Sequence, residues 1–434
     1  MDIRDAPAST RNIIFLLSPR VIDFDTYLPI GMELKTLHPD WDIHFITFSA
    51  ANLDFIRQNP ILMSGLEKCG TLHFMGATSR GVGRWLQRAR SLMRLTRLIA
   101  DRRDGILFHG RHFAEGLYRF LFLVNRFRGG RSYILPRSRL VDQGMHELFR
   151  ERFTSLQEPP ASKTGPFNGW TDGLVYYHDE QPIYLQGMRA HGPLQDVPQF
   201  KLGLPQMLPS WQRHIEEESS RVRGDLASGG AAEREIIAVI ATKLFASETL
   251  RTSESVPVTF ELIMTTLRRL RPNATILVRP HPLAVDEPYL HETLERMDDP
   301  NISITFLHPE LLDTLASRVI INAPTNLIFT SCDGCYIDCS DYREEDLAKK
   351  GNMSFGAGYG AAYVNPNDPE FEGRFAALLD DDEWQKTPRL YEKRRALAAQ
   401  NPPAVDALID WMARPASGAV PVFRRGNLTG GRTE

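Results

Sequence analysis

Short apolar runs of four to six residues alternate along this chain with stretches whose apolar positions recur at helical spacing. Ile13 to Ser18 (IIFLLS) and Ile43 to Phe48 (IHFITF) read as buried strands, and TYLPIGMELKTLHP between them reads as a helix that Pro39 ends. Strand, helix, strand in that order implies a parallel sheet. Thr71 to Phe74 and Gly105 to Gly110, the latter ending in His109, continue the strands, with Val82 to Asp101 helical between them. A second helical pattern, RHFAEGLYRFLFLVNRF, stops at Gly129-Gly130. SYILPRSRLVDQGMHELF and a loop-rich stretch around EPPASKTGPFNGW follow, Val175 to Tyr177 and Ile183 to Leu185 read as short strands, and Phe200 to Pro205 closes the first half.

From Trp211 to Arg234 the chain turns charged, then small and glycine-rich, a composition that predicts a surface helix and a flexible turn rather than core. The alternation then resumes. Ile236 to Ala241, Thr275 to Val278, Ile302 to Phe306, Val319 to Asn322 and Cys335 to Asp338 read as strands, with helical stretches between them from Val258, Tyr289, Leu311 and Asn326. The expected fold class is α/β: two Rossmann-like domains facing across a cleft, spanning 1–200 and 201–413, the last helix crossing back to the first domain. Residues 414–434, rich in Gly, Pro and Arg, read as a mobile tail.

At 434 residues the chain suits two such domains, and 42% hydrophobic with 24% charged residues is ordinary for a globular protein. A net charge of -3 supplies no global basic field, so nucleic acid is not an expected partner. The polar start, the lack of a long uncharged run and only four cysteines predict a protein of the reducing cytoplasm without leader or membrane anchor. One helix complicates this. Val82 to Asp101 sets Val82, Trp85, Leu86, Ala89, Leu92, Met93 and Ile99 on one face and Arg84, Arg88, Arg90, Arg94 and Arg97 elsewhere. It is either an ordinary helix packed on the sheet, the reading an α/β unit favours, or a peripheral contact with the inner face of a membrane.

The candidate chemistry gathers at strand ends. In TILVRPHP, two prolines around His281 stop the strand and fix Arg279, His281 and Pro282 where open α/β sheets bind ligands. VIINAPTN runs from a strand into a helix start, where Asn322, Thr325 and Asn326 surround free backbone N–H groups suited to phosphate. IIAVIATK brings Thr242 and Lys243 to a third strand end. Taken singly, each has a plainer reading as a strand stop or helix cap; together they predict a phosphate-bearing ligand. The first strand leads into SPRVIDFD rather than G-x-G-x-x-G, so no dinucleotide cofactor is expected, nor any other cofactor. Cys332, Cys335 and Cys339 form C-x2-C-x3-C without a partner pair and read as strand and turn rather than metal ligands. FGAGYGAAY, from Phe355, has no GK[ST] and reads as an irregular loop.

The order FKLGLP, IIAVIATK, ILVRPHP, VIINAPTN, CYIDCSDY resembles the C-terminal half of bacterial GT-B transferases of surface-polymer assembly: CDP-glycerol glycerophosphotransferases, capsule Kdo transferases, and bacterial sialyl- and polysialyltransferases with an HP motif. The resemblance covers about residues 200 to 385. It implies a metal-independent, inverting glycosyltransferase using a nucleotide-activated donor, foremost a CMP-linked acidic sugar, and a glycan or lipid-linked acceptor. It also implies that His281 and the Thr325 turn hold the donor phosphate, although Thr325-Asn326 replaces the usual pair of serines. Transfer of a polyol phosphate from a CDP donor, nucleotide-sugar 2-epimerisation and a non-catalytic nucleotide-binding subunit are the alternatives. The acceptor hydroxyl needs a base from the first domain. Asp142 is the first choice and Asp23 the second, with Asp25, His109 and His146 as further candidates.

Overall fold

The structure, a computed structural model, describes residues 11–17, 22–77, 81–101, 104–110, 119–135, 171–177, 198–228, 234–241, 255–281, 285–322, 335–349, 354, 361–380, 399 and 402–413. The first half supplies β1 (Asn12–Leu17), α1 (Ile22–Leu37), β2 (Asp42–Thr47), α2 (Ala50–Gln58), α3 (Pro60–Cys69), β3 (Thr71–Phe74), α4 (Val82–Asp101), β4 (Ile106–His109), α5 (Arg119–Phe127), β5 (Arg131–Ile134), β6 (Gly173–Tyr176) and β7 (Gln199–Lys201). The second supplies α6 (Pro209–Ser228), β8 (Ile236–Ala241), α7 (Ser255–Leu270), β9 (Thr275–Pro280), α8 (Pro288–Met297), β10 (Ile302–Ile304) and α9 (Pro309–Leu315). It continues with β11 (Arg318–Ile321), β12 (Tyr336–Asp338), α10 (Glu344–Lys349), β13 (Ala362–Tyr363), α11 (Phe371–Leu379) and α12 (Val405–Ala413).

Two sheets result, with strand orders β3-β2-β1-β4-β5-β6-β7 and β10-β9-β8-β11-β12-β13. Every described ladder is parallel, as Phe15 opposite Phe45 and Phe108, and Val239 opposite Val278 and Ile320, illustrate. Parallel strands covered by helices on both faces must be apolar throughout, which is why the runs IIFLL and IAVIA are continuous rather than alternating. Each sheet steps outward from its first strand, then returns to that strand's other side. That reversal marks the crevices between β1 and β4 and between β8 and β11 as the ligand positions of such sheets.

The cores follow from this. Phe15 stacks between Phe45 and Phe108, with ring centroids 5.0 Å away on each side, and Phe24 meets Phe45 edge-on. Gly31 lets α1 close on β2, since a Cβ there would stand 2.7 Å from the Phe45 ring. The last helix crosses back as expected: Val405, Leu408 and Met412 of α12 belong to the first sheet's core. Gly203, at φ +88°, admits that return, because a Cβ would meet the Pro402 carbonyl at 2.4 Å.

Three features depart from the sequence reading. Helices α2 and α3 were not anticipated; Asn59 joins them, its Oδ1 accepting from the backbone N–H of Ile61 and Leu62. Helix α6 is not a surface helix along its length, for Trp211, His214, Ile215 and Ser219 are buried against α1, α3 and α9. The charged residues that suggested a solvated element occupy only its outer face. Helix α4 departs in the other direction: only Leu95 and Ile99 are buried, and its apolar first turns face outward. The strand pattern Ile183 to Leu185 and residues 414–434 lie outside the described residues.

Candidate functional site

The strand of TILVRPHP runs through Pro280, two residues beyond the Val278 expected from sequence. β9 ends at Pro280, and the His281 N–H donates to the Ala241 carbonyl at 2.9 Å, pinning the half-buried histidine beside the end of β8. β11 flanks β8 on the other side and ends next to buried Asn322. Thus β9, β8 and β11, the three strands singled out for phosphate chemistry, lie side by side at one sheet edge. Thr242, Lys243, Pro282, Thr325 and Asn326, which continue from those ends, lie outside the described residues, as do Asp142, His146 and Cys332.

Arg279 is buried, and burial lowers its pKa to about 10 while the charge of Asp25 opposes the shift; it remains cationic at neutral pH. Its Nε donates to the Leu307 carbonyl at 2.8 Å. That bond fixes the segment leading to His308, the N-cap of α9. The backbone N–H of Glu310 donates to His308 Nδ1 at 3.3 Å, so the neutral ring carries its hydrogen on Nε2. Nε2 faces Asp25 Oδ1 of the first sheet's α1 across 3.7 Å, longer than a hydrogen bond. Both atoms are buried and neither has a hydrogen-bond partner among the described residues. Beneath them the Trp211 indole N–H donates to Glu310 at 2.5 Å, and the Trp211 ring meets His308 edge-on. Burial, followed by the charges of Asp25 and Asp313, pushes the Glu310 carboxyl well above the usual range despite that bond.

A polar cluster of Asp25, Arg279, His308, Glu310 and Trp211 therefore joins the two halves beside the carboxyl ends of β1 and β9. Sequence reasoning reached Arg279 and Asp25 but missed the other three. A signal existed: FLHPELLD is a second His-Pro pair after a strand, with proline at the first helical position and an acid behind it, the pattern of a helix start. Glu310 and Trp211, 99 residues apart, carry no local pattern.

The other carboxylate named for proton transfer, Asp23, is buried in the first turn of α1, where its charge adds to burial in raising the Tyr177 phenol. His109 ends β4, opposite Leu16 of β1 and so at the first sheet's reversal point. Burial lowers it to about 4, its Nδ1–H donates to the Gly110 carbonyl at 3.1 Å, and its Nε2 has no partner among the described residues. At the end of β12, buried Asp338 accepts from Ser340 N–H and Oγ and from the Tyr342 hydroxyl, shaping the turn there. Cys335 and Cys339 are buried and neither is in a disulfide, and burial pushes the Cys339 thiol well above its usual range. Among the described residues no cluster has a metal's ligand set, and no helix is long and apolar enough to cross a membrane.

No model of a known protein family matches this sequence, and no curated protein sequence is similar to it. Solved structures are similar in fold. UGT89C1 of Arabidopsis thaliana, complexed with UDP, superposes with a TM-score of 0.51 at 12% identity, over 93% of this chain and 100% of that one. A ugt transferase of Siraitia grosvenorii in complex with UDP gives 0.50 at 10% identity, over 93% and 100%. TcCGT1 in complex with UDP gives 0.50 at 12% identity, over 93% and 98%. The shared feature is the arrangement of two Rossmann-like sheets facing across a cleft, the GT-B fold.

Proposed function

We propose that this GT-B fold serves a glycosyltransferase that takes a nucleotide-activated sugar at its second sheet and an acceptor at its first. The observation that carries the reading is the adjacency of the ends of β9, β8 and β11, bearing His281, Ala241 and Asn322, with the Arg279 charge behind them and Asp25 across. Breaking the bond from sugar to nucleotide develops negative charge on phosphate, which fixed cations and backbone donors in a water-poor crevice stabilise. His281 and the turn containing Thr325 and Asn326 are assigned to that phosphate, with Thr242 and Lys243 beside them. The acceptor hydroxyl passes its proton to a carboxylate of the first half. Asp142 and Asp23 are the first sequence candidates for it, and the placement of Asp25 opposite His308 supports Asp25 as a third.

For the donor, the His-Pro motif and the order of motifs favour a CMP-linked eight- or nine-carbon acidic sugar and a role in surface polysaccharide synthesis. The UDP held by solved relatives of this fold favours a UDP-sugar instead. Melting the purified protein with CMP, CDP, UDP, GDP and NAD separates these. A ligand at about 100 times its Kd stabilises the fold by roughly 2.7 kcal/mol. A shift with a cytidine nucleotide that vanishes in His281→Ala supports the first donor, and one with UDP alone supports the second. No shift with any nucleotide refutes the proposal. Among Asp142→Asn, Asp23→Asn and Asp25→Asn, the variant lacking the base keeps the nucleotide shift and loses turnover.

A further inference from the structure

Among the described residues, helix α4 is the one long helix whose apolar stripe turns away from the core. Val82, Trp85, Leu86, Ala89 and Met93 recur at helical spacing on one face, and Val82, Trp85, Leu86 and Met93 are 78%, 77%, 59% and 56% exposed. Leu95 and Ile99 hold the helix to the sheet from its other side, so its outward face is a consequence of how it is anchored. Five arginines and no acid lie between Val82 and Ala100. Arg90, Arg94 and Arg97 line one flank of the stripe and Arg84 and Arg88 the other, and none forms an ion pair with another described residue. On neighbouring α5, Phe120 and Phe127 are exposed as well.

We infer that the outer face of α4 docks on an anionic lipid surface, Trp85 and Leu86 entering the headgroup region while the flanking arginines meet lipid phosphates. Charge complementarity selects this occupant. Apolar residues bounded by cations match a layer that is apolar inside and anionic at its surface, and tryptophan favours that boundary. A second copy would bring five arginines against five, which repel. The whole chain carries a net charge of -3, so the concentration of positive charge is local and orients the molecule. Because α4 follows β3 in a parallel sheet, its exposed first turns start at the carboxyl edge of the sheet, the edge that also carries Asp25. Docking there sets the first half's crevice toward the lipid surface. This inference goes beyond the proposed transfer reaction and does not depend on it.

The test is flotation of the full chain with vesicles of phosphatidylcholine alone and of an equimolar mixture with phosphatidylglycerol. Binding is expected only to the anionic vesicles and is expected to weaken as salt is raised. Arg90→Gln combined with Arg94→Gln should lower the partition coefficient by at least about tenfold. Trp85→Ser combined with Leu86→Ser should abolish flotation while leaving the thermal melt and any nucleotide-induced shift as in the wild type. These positions are exposed, so the variants keep the fold. No binding to anionic vesicles, or equal binding by both variants, overturns the inference. So does a dimer in the wild type that Trp85→Ser with Leu86→Ser converts to a monomer, which would make a second copy the occupant.

Discussion

Glu310 shows how one side chain at the junction of the two halves is tuned by its surroundings. It is buried, accepts the Trp211 indole N–H, and shares its neighbourhood with Asp25 and Asp313, all of which favour a neutral carboxyl except the indole bond. A group whose folded pKa lies above its unfolded value contributes stability that is complete below the unfolded pKa and is lost as pH rises through the folded one. Glutamine is a neutral isostere that still accepts from the indole. Glu310→Gln should therefore match the wild type within about 1 kcal/mol at acid pH, and its relative stability should grow in its favour as pH rises above the usual glutamate range. Glu310→Leu, which leaves the buried indole N–H unpaired, should be less stable than Glu310→Gln by about 1–3 kcal/mol at every pH. Urea titrations across the pH range distinguish the two, and a Gln variant that loses ground as pH rises would show that the carboxylate is the stabilising form. Such a residue is illegible in sequence because its environment is assembled from α6, α9 and α1, far apart along the chain.

Elements were legible where local pattern and tertiary role agree. The runs at Ile13, Ile43, Ile236, Thr275 and Val319 became central parallel strands because a strand buried on both faces must be apolar without interruption. Helix α2 buries only Asn52 and Ile56 and has no such stripe, α3 does carry one in Ile61, Leu62, Leu66 and Cys69 behind the Asn59-Pro60 start, and α6 hid a buried face behind a charged one. The His214 and Ser219 positions that pack inward beside Trp211 are polar and escape a hydrophobic count. Helix α12 is the clearest case of an element whose meaning lies in where it lands. Its Trp411 ring packs on Tyr133 and Phe200 with centroids 5.3 and 5.4 Å away, Tyr133 donates to the Met412 carbonyl, and Arg131 bonds the same oxygen. Gly173 of β6 makes the room, since a Cβ there would overlap the Trp411 ring. Trp411→Ala should cost about 2–4 kcal/mol in denaturant titration. A loss below about 0.5 kcal/mol would mean that α12 lies on the first sheet without stabilising it.

Within the whole molecule, the two sheets meet through more than a hinge. Leu311 and Leu315 of α9, an element of the second half, sit in the core formed by the first sheet and α6, and Trp211 on α6 holds Glu310 of α9. Arg223 donates to the Thr314 carbonyl at 2.6 Å, and the Asn59 amide reaches the Phe306 carbonyl at 3.4 Å. A long apolar side chain moved between cores cannot be withdrawn without opening a cavity in the one it left, so partial unfolding of one half exposes the seam of the other. Separate unfolding of the halves would expose Leu311, Leu315 and Trp211 together and break the bond from Trp211 to Glu310. The expectation is one cooperative thermal transition, with tryptophan fluorescence and far-ultraviolet circular dichroism tracing the same curve. Leu311→Ala should lower that single transition, at a cost of about 2–5 kcal/mol. A nucleotide bound at the second sheet should raise it as a whole, protecting the first sheet's amides from hydrogen exchange along with its own. Two resolved transitions, only one of them moved by Leu311→Ala, would show that the seam is a contact between independently stable halves.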